Sequence, residues 1–351
     1  MPVLRPFLAA ALFALAAITA SPARALPSFA TPLIASSRAP AGQIEARFMG
    51  VSTILFDDGT DQILVDGFFS RPGRLRTALG RIGPDDATIA WALDRARIRS
   101  RLRAVLVAQS HYDHALDSAR IARWTGAKLV GSRSTGFLGR GEGLRRGQFE
   151  EIGDRSRHRF RDFRITAIRS PHSPGAPWGG EIVAPLRPPA RASRWREGGN
   201  YSFLIRHPSL SILVQPSANF ICGLYQRERV TADVVFLAIG KLGLQNEEFA
   251  RDYWEQVVLA TEARLVIPVH WDDFTRPLDR PLRPPPWPGD NVSRGMRWIG
   301  DFARADGVEI GFMAPFEPVD LAAAVPPRRA RSIPPRACSA AGRNSEDPSA
   351  R

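Results

Sequence analysis

A-V-L-V-A-Q-S-H-Y-D-H-A-L-D, residues 104–117, decides how the rest of the chain is read. Ala104 to Ala108 are small or branched apolar residues, the mark of a short buried strand. His111, Asp113 and His114 follow at once, packed into four positions. Imidazole nitrogens and a carboxylate at this spacing are what a divalent metal needs from a loop at a strand end. A polar turn before a helix explains neither the density of these groups nor the strand in front of them.

Two later stretches repeat the pattern. F-R-I-T-A-I-R-S-P-H ends in His172, and A-R-L-V-I-P-V-H ends in His270. Of the chain's six histidines, four therefore sit just after apolar, strand-like runs. His158 and His207 lie instead among charged and turn residues, and both read as solvated.

With these residues in view, the sequence resembles the metallo-β-lactamase-fold hydrolases, whose motif is H-x-H-x-D-H after a strand, with further ligands at later strand ends. Here the motif reads Q-S-H-Y-D-H, so Gln109 stands where the first histidine belongs. His172 and His270 match the later histidines. The wording H-Y-D-H-A-L-D, with P-V-H-W-D-D-F around His270, is most similar to the branch of ascorbate-phosphate lactonases and N-acylphosphatidylethanolamine phospholipases. The resemblance spans roughly residues 48–316 and implies an α/β fold, a four-layer αββα sandwich of two mixed sheets.

It also implies two metal positions, one on Gln109, His111 and His172, the other on Asp113, His114 and His270. The second set is complete. The first has a neutral amide in place of an imidazole, and S-I-L-V-Q-P-S-A-N-F offers Gln215 and Ser217 where a bridging aspartate is expected. An amide binds zinc less well than imidazole, and no carboxylate balances two adjacent cations. One tight zinc is therefore expected, with the second site weak or empty. Such a centre generates a metal-bound hydroxide that attacks an ester, lactone, amide or phosphoester. Asp113 is the expected catalytic residue, with Tyr112, Ser217 and Asp272 as candidate polar contacts and Asp272 also a candidate partner to a ligand histidine. The competing reading is a degenerate member that binds metal or ligand without turnover.

Residues 1–25 read as a secretory leader: Arg5, an apolar run from Phe7 to Ile18, then Ala23-Arg24-Ala25 as a cleavage pattern. A periplasmic or secreted protein is expected, with no membrane span after cleavage. Residues 26–43 read as a linker, 44–320 as the metallo-β-lactamase-like domain, and 321–351, rich in Pro and Arg, as a disordered tail. Only Cys222 and Cys338 are present, which indicates no disulfide framework; Cys222 reads as a core residue. The net charge of +13 comes almost wholly from arginine, part of it in the leader and the tail. No basic-aromatic module accompanies it, so nucleic acid is not the expected partner. A small or lipid-like substrate is, and the basic surface favours an anionic one.

Alternating strand and helix signals support the layered class. Residues 87–97 and the line Leu116, Ala119, Ala122 read as helices, the latter stopped by Gly126 in a left-handed conformation. K-L-V-G, V-V-F-L-A-I-G and residues 264–269 read as strands, and Phe249, Tyr253, Trp254, Val257 and Val258 as one helix face. The Pro- and Gly-rich stretches 173–200 and 276–290 each follow a ligand histidine. They predict a wall carrying Trp178, Trp195 and Trp287.

Overall fold

The computed structural model describes residues 32–328 and 338–339. The leader and most of the tail lie outside the described residues. Strands β1 (Glu45–Phe48), β2 (Ile54–Asp57), β3 (Gln62–Val65), β4 (Leu102–Leu106), β5 (Lys128–Gly131) and β6 (Phe149–Glu151) form the first sheet. β7 (Arg157–Phe160), β8 (Phe163–Arg169), β9 (Tyr201–Arg206), β10 (Ser211–Gln215), β11 (Val234–Ala238), β12 (Leu265–Val269) and β13 (Glu309–Ile310) form the second. β14 (Val319–Asp320) closes the outer edge of the first sheet beside β1. The first sheet, in the order 14-1-2-3-4-5-6, is antiparallel from β14 to β3 and parallel from β3 to β6; the second, in the order 13-12-11-10-9-8-7, is parallel from β13 to β10 and antiparallel from β10 to β7. This is the mixed-sheet αββα sandwich.

The two sheets meet through apolar faces. Phe56 on β2 and Phe236 on β11, both fully buried, pack edge to face with ring centroids 5.4 Å apart. Each such side chain contributes about 1.5–3 kcal/mol by leaving water. The central parallel strands β11 and β12 are buried along their whole length, which is why their sequences run apolar without alternation.

Helices α1 (Arg74–Leu79), α2 (Asp86–Arg95), α3 (Tyr112–Ala115), α4 (Ser118–Thr125), α5 (Arg133–Gly141), α6 (Leu224–Arg227), α7 (Glu247–Trp254), α8 (Val292–Asp306) and α9 (Leu321–Ala324) complete the layers. α4 lies over β4 and β5, and α8 lies against α7 and β13. Gly126 caps α4 at φ +77°, as its sequence position predicts. The face of α7 is buried, but Val257 and Val258 fall on a π-helical turn, Glu255–Leu259, that continues it.

Four readings are corrected. Leu33 bridges to Phe312, so the segment before residue 44 packs on the sheet and is not a free linker over its described part. Regular structure runs past residue 320 into α9, capped by Asp320 with Leu321 buried. Cys222 and Cys338 form a disulfide across 116 residues, and Ser339 bonds to Asp252. The tail is thus tied back at that point. His158 and His207 are not solvated: His158 lies on β7 beside Glu150, and the His207 side chain is 2% exposed.

Candidate metal centre

The strand ends converge at one edge of the sandwich. After β4 the chain turns so that His111 precedes α3 and Asp113 and His114 lie within it. His270 follows β12 at φ +56°, and Asp66 follows β3 at φ +55°. Val51, β-branched, is at φ +51°, and its carbonyl accepts the His270 N–H at 2.7 Å. Left-handed backbone at such residues costs about 1–3 kcal/mol each and persists where surrounding contacts fix it.

Those contacts are visible. Asp272 accepts the Val51 N–H at 2.7 Å and pairs with Arg71 at 2.6 Å, both side chains fully buried. Asp272 therefore anchors the loop that carries His270. Its carboxylate is engaged there and pairs with no histidine among the described residues, while the residue also borders the cavity over the cluster. Asp117, last in the opening motif, accepts from Phe69 N, Ser70 N and Ser70 Oγ, so its role is to hold the 67–70 turn against α4.

Asp113, His114 and His270 place their donor atoms within 4.8 Å of one another. Asp113 Oδ2 lies 3.4 Å from His270 Nε2 and 3.7 Å from His114 Nε2. Ligands bound to zinc at 2.0–2.2 Å in a tetrahedron stand roughly 3.3–3.6 Å apart. His114 Nδ1 is 2.7 Å from Asp66 Oδ2, which also accepts from Ser52 Oγ. That fixes Nε2 as the nitrogen offered to the cluster. Asp66 is the residue sequence reasoning missed; its signal was a carboxylate closing the apolar run Q-I-L-V. Gln109 Nε2 lies 2.7 Å from His114 Nε2, and its buried Oε1 has no hydrogen-bond partner. Two imidazoles and a carboxylate with converging donor atoms, next to a glutamine whose buried oxygen is orphaned, fit a divalent cation.

His111 and His172 are also brought together, ring centroids 5.0 Å apart. His111 donates Nε2–H to the Trp178 carbonyl at 3.2 Å, and His172 donates Nδ1–H to the Ser173 carbonyl at 3.1 Å. Each keeps one lone-pair nitrogen. Gln109 meets His114 and not this pair. Ser217 is turned away, donating to Asn200 Oδ1 at 3.1 Å, and Gln215 is saturated by Ser202, Tyr225 and two carbonyls. Neither lines the cavity over the cluster.

Electrostatics follow burial. Burial opposes a charge on Asp113, but His114 and His270 hold its carboxyl well below the usual range. Burial also works against His114, yet Asp66 and Asp113 raise it. Burial lowers His111, and burial with the neighbouring His111 pushes His172 down to about 3. Burial, then Asp113, raises the Tyr112 phenol above its ordinary value.

The cavity is about 480 Å³. His111, Asp113, His172 and His270 reach it; Tyr112, Trp178, Phe274 and Trp287 supply apolar wall, and Arg74 and Lys241 positive charge. Trp178 and Trp287 are on the wall as predicted, but Trp195 is buried in the core. Lys241 Nζ donates to the Gly175 carbonyl at 2.7 Å and pairs with no carboxylate among the described residues.

No family profile and no curated protein matches the sequence. Among solved structures, the chain is similar to Igni18, a metallo hydrolase from Ignicoccus hospitalis, at TM-score 0.50 and 16% identity over 79% of this chain and 97% of that one. It is similar to a possible metal-dependent hydrolase from Veillonella parvula at TM-score 0.50 and 14% identity, over 80% and 100%. CmlA, a diiron β-hydroxylase from Streptomyces venezuelae, gives TM-score 0.53 and 14% identity over 81% of this chain and 55% of that one. At such identities the likeness is one of fold: the chain has the metallo-β-lactamase fold. Its structural neighbours are mainly metal-dependent hydrolases, and its own residues include a group that can hold a metal.

Proposed function

We propose that the protein is an exported metal-dependent hydrolase of an ester, lactone, amide or phosphoester whose substrate joins an apolar part to an anionic group. The observation that carries this reading is the Asp113–His114–His270 cluster, of which Asp113 and His270 line the cavity while His114 is buried and locked by Asp66. These three residues would hold zinc, which would supply a Lewis acid to acidify water and polarise the scissile bond. Asp113 Oδ2, facing both imidazoles, would be the carboxylate ligand, which leaves the other oxygen of the same group to orient the attacking water and accept its proton. The Tyr112 hydroxyl, kept protonated, is a donor toward substrate. Tyr112, Phe274 and Trp287 take the apolar part, and Lys241 the negative charge. The Cys222–Cys338 disulfide supports an oxidising compartment. Metal analysis of the mature protein beside turnover of aryl esters and phosphodiesters tests the reading; less than one metal per chain with no turnover of either overturns it. Gln109 favours a second reading, a binding protein, for which metal would be held without turnover. N-terminal sequencing should begin near Leu26.

A further inference from the structure

Among the described residues, the large apolar side chains that face water most fully are Leu75, Leu79, Val183 and Trp287, each between 70% and 77% exposed, and no other passes 54%. All four lie on three segments that rim the cavity over the candidate metal centre: α1, the 173–200 stretch and the 276–290 stretch. Arg74, Trp178 and Trp287, one from each, line that cavity. Exposed apolar residues scattered singly need no explanation, but their gathering around one opening does.

α1 shows the feature most plainly. It has no buried residue, and Gly73 gives its first turn no side-chain cap. A helix of this length is not stable by itself, and its leucines add nothing to the core. Leu75 and Leu79, four positions apart, share one face. Arg74, Thr77 and Ala78 take the adjoining face and line a second cavity of about 340 Å³, which also shares Trp178 with the first. The leucines therefore flank the openings and do not fill them.

The same rim is basic. Residues 67–84 contain four arginines and no Asp or Glu. Arg71 is buried on Asp272, and Arg74 reaches Asp273. Arg76 and Arg81 are exposed and form no ion pair among the described residues. Across the opening, Arg276, Arg280 and Arg283 stand against Asp279 and a buried Asp290.

We propose that this rim docks on an anionic lipid bilayer, with Leu75, Leu79 and Trp287 entering the boundary between headgroups and acyl chains. A fluid surface accepts prongs on separate segments at once: leucine enters the apolar layer, tryptophan sits at headgroup level, and arginine meets the lipid phosphates. No helix among the described residues is long and apolar enough to cross a membrane, so the contact is one of surface. Docked in this way, the cavity opens toward the bilayer.

Co-sedimentation of the full mature chain with vesicles tests the proposal and needs neither metal nor turnover, so its outcome is independent of the hydrolase reading. Binding to phosphatidylglycerol–phosphatidylcholine vesicles should exceed binding to pure phosphatidylcholine by about tenfold or more and should fall with salt. Leu75→Ser with Leu79→Ser, both at exposed positions, should weaken it by about tenfold with the salt response kept. Arg76→Gln with Arg81→Gln should reduce the preference for phosphatidylglycerol. Lipids brominated on the acyl chain should quench tryptophan emission, and Trp287→Phe should remove most of the quenching. No binding to anionic vesicles, or binding that the leucine pair leaves unchanged, overturns the proposal. Self-association abolished by the leucine changes, without vesicle binding, would assign the rim to a second copy of the chain and would overturn it as well.

Discussion

The two halves of the candidate metal centre each offer a pair of histidines and are built differently. His114 gives its Nδ1 to a fully buried carboxylate, Asp66, and its Nε2 to the cluster; His270 sits on backbone held by Val51 and the Arg71–Asp272 pair. His111 and His172 give their protons to carbonyls of the loop that follows residue 172. A carboxylate raises the basicity of the imidazole it holds, whereas a carbonyl chiefly orients it. The first half also contains a carboxylate ligand; the second does not join any third His, Cys, Asp or Glu among the described residues. Ligand identity and outer support weaken together.

The harshest way to break the contrast is to delete a ligand on each side. His114→Ala or His270→Ala should abolish tight metal binding and lower hydrolysis by ~10³-fold or more, since the metal contributes several kcal/mol. His172→Ala should keep about one metal, by elemental analysis. Two tight metals in the wild type would erase the distinction.

Asp66→Asn should weaken metal binding by about 10–100-fold while the three ligands remain; competition against a chelator of known affinity measures it. An unchanged affinity would mean that the buried pair only packs.

A pH experiment sharpens the other half. Burial holds His172 at about 3, below its ordinary value near 6.5, so protonation favours the unfolded chain. The stability this histidine supplies is complete above pH 6.5 and is lost as pH falls toward 3, about 2 kcal/mol of it by pH 5. Urea unfolding of metal-free protein at pH 7 and pH 5 should show the loss, reduced in His172→Gln.

Gln109→His should raise affinity for a second metal by no more than about tenfold, because the new ring enters beside His114 and no bridging carboxylate is present. Adding Ser217→Asp should bring nothing further, since that side chain points to Asn200. Calorimetric zinc titration of the single and double variants decides it. The smallest effect is expected outside the ligands: Lys241→Ala should raise KM for anionic substrates about two- to fivefold with kcat little changed, the scale of a partly solvated charge contact.

Much of the fold was legible because its signal is local. Apolar runs such as Ala104–Ala108 and Leu265–Val269, with a histidine one to three positions further on, mark strands and the edge at which they end, and the H-Y-D-H spacing places three chemical groups on one turn. Gly126 stops its helix where the sequence puts it. What only the tertiary structure decided depends on pairs far apart in the chain. Asp66 meets His114 across 48 positions, Asp272 meets Arg71 across about 200, and Cys222 meets Cys338 across 116. His207 reads as solvated from its charged and turn neighbours and is buried because Phe163 and Asp58 close over it. Local composition sets the period and burial of an element; which buried polar group faces which is fixed by how two sheets pack, and that packing is a sum of many contacts that no short stretch encodes.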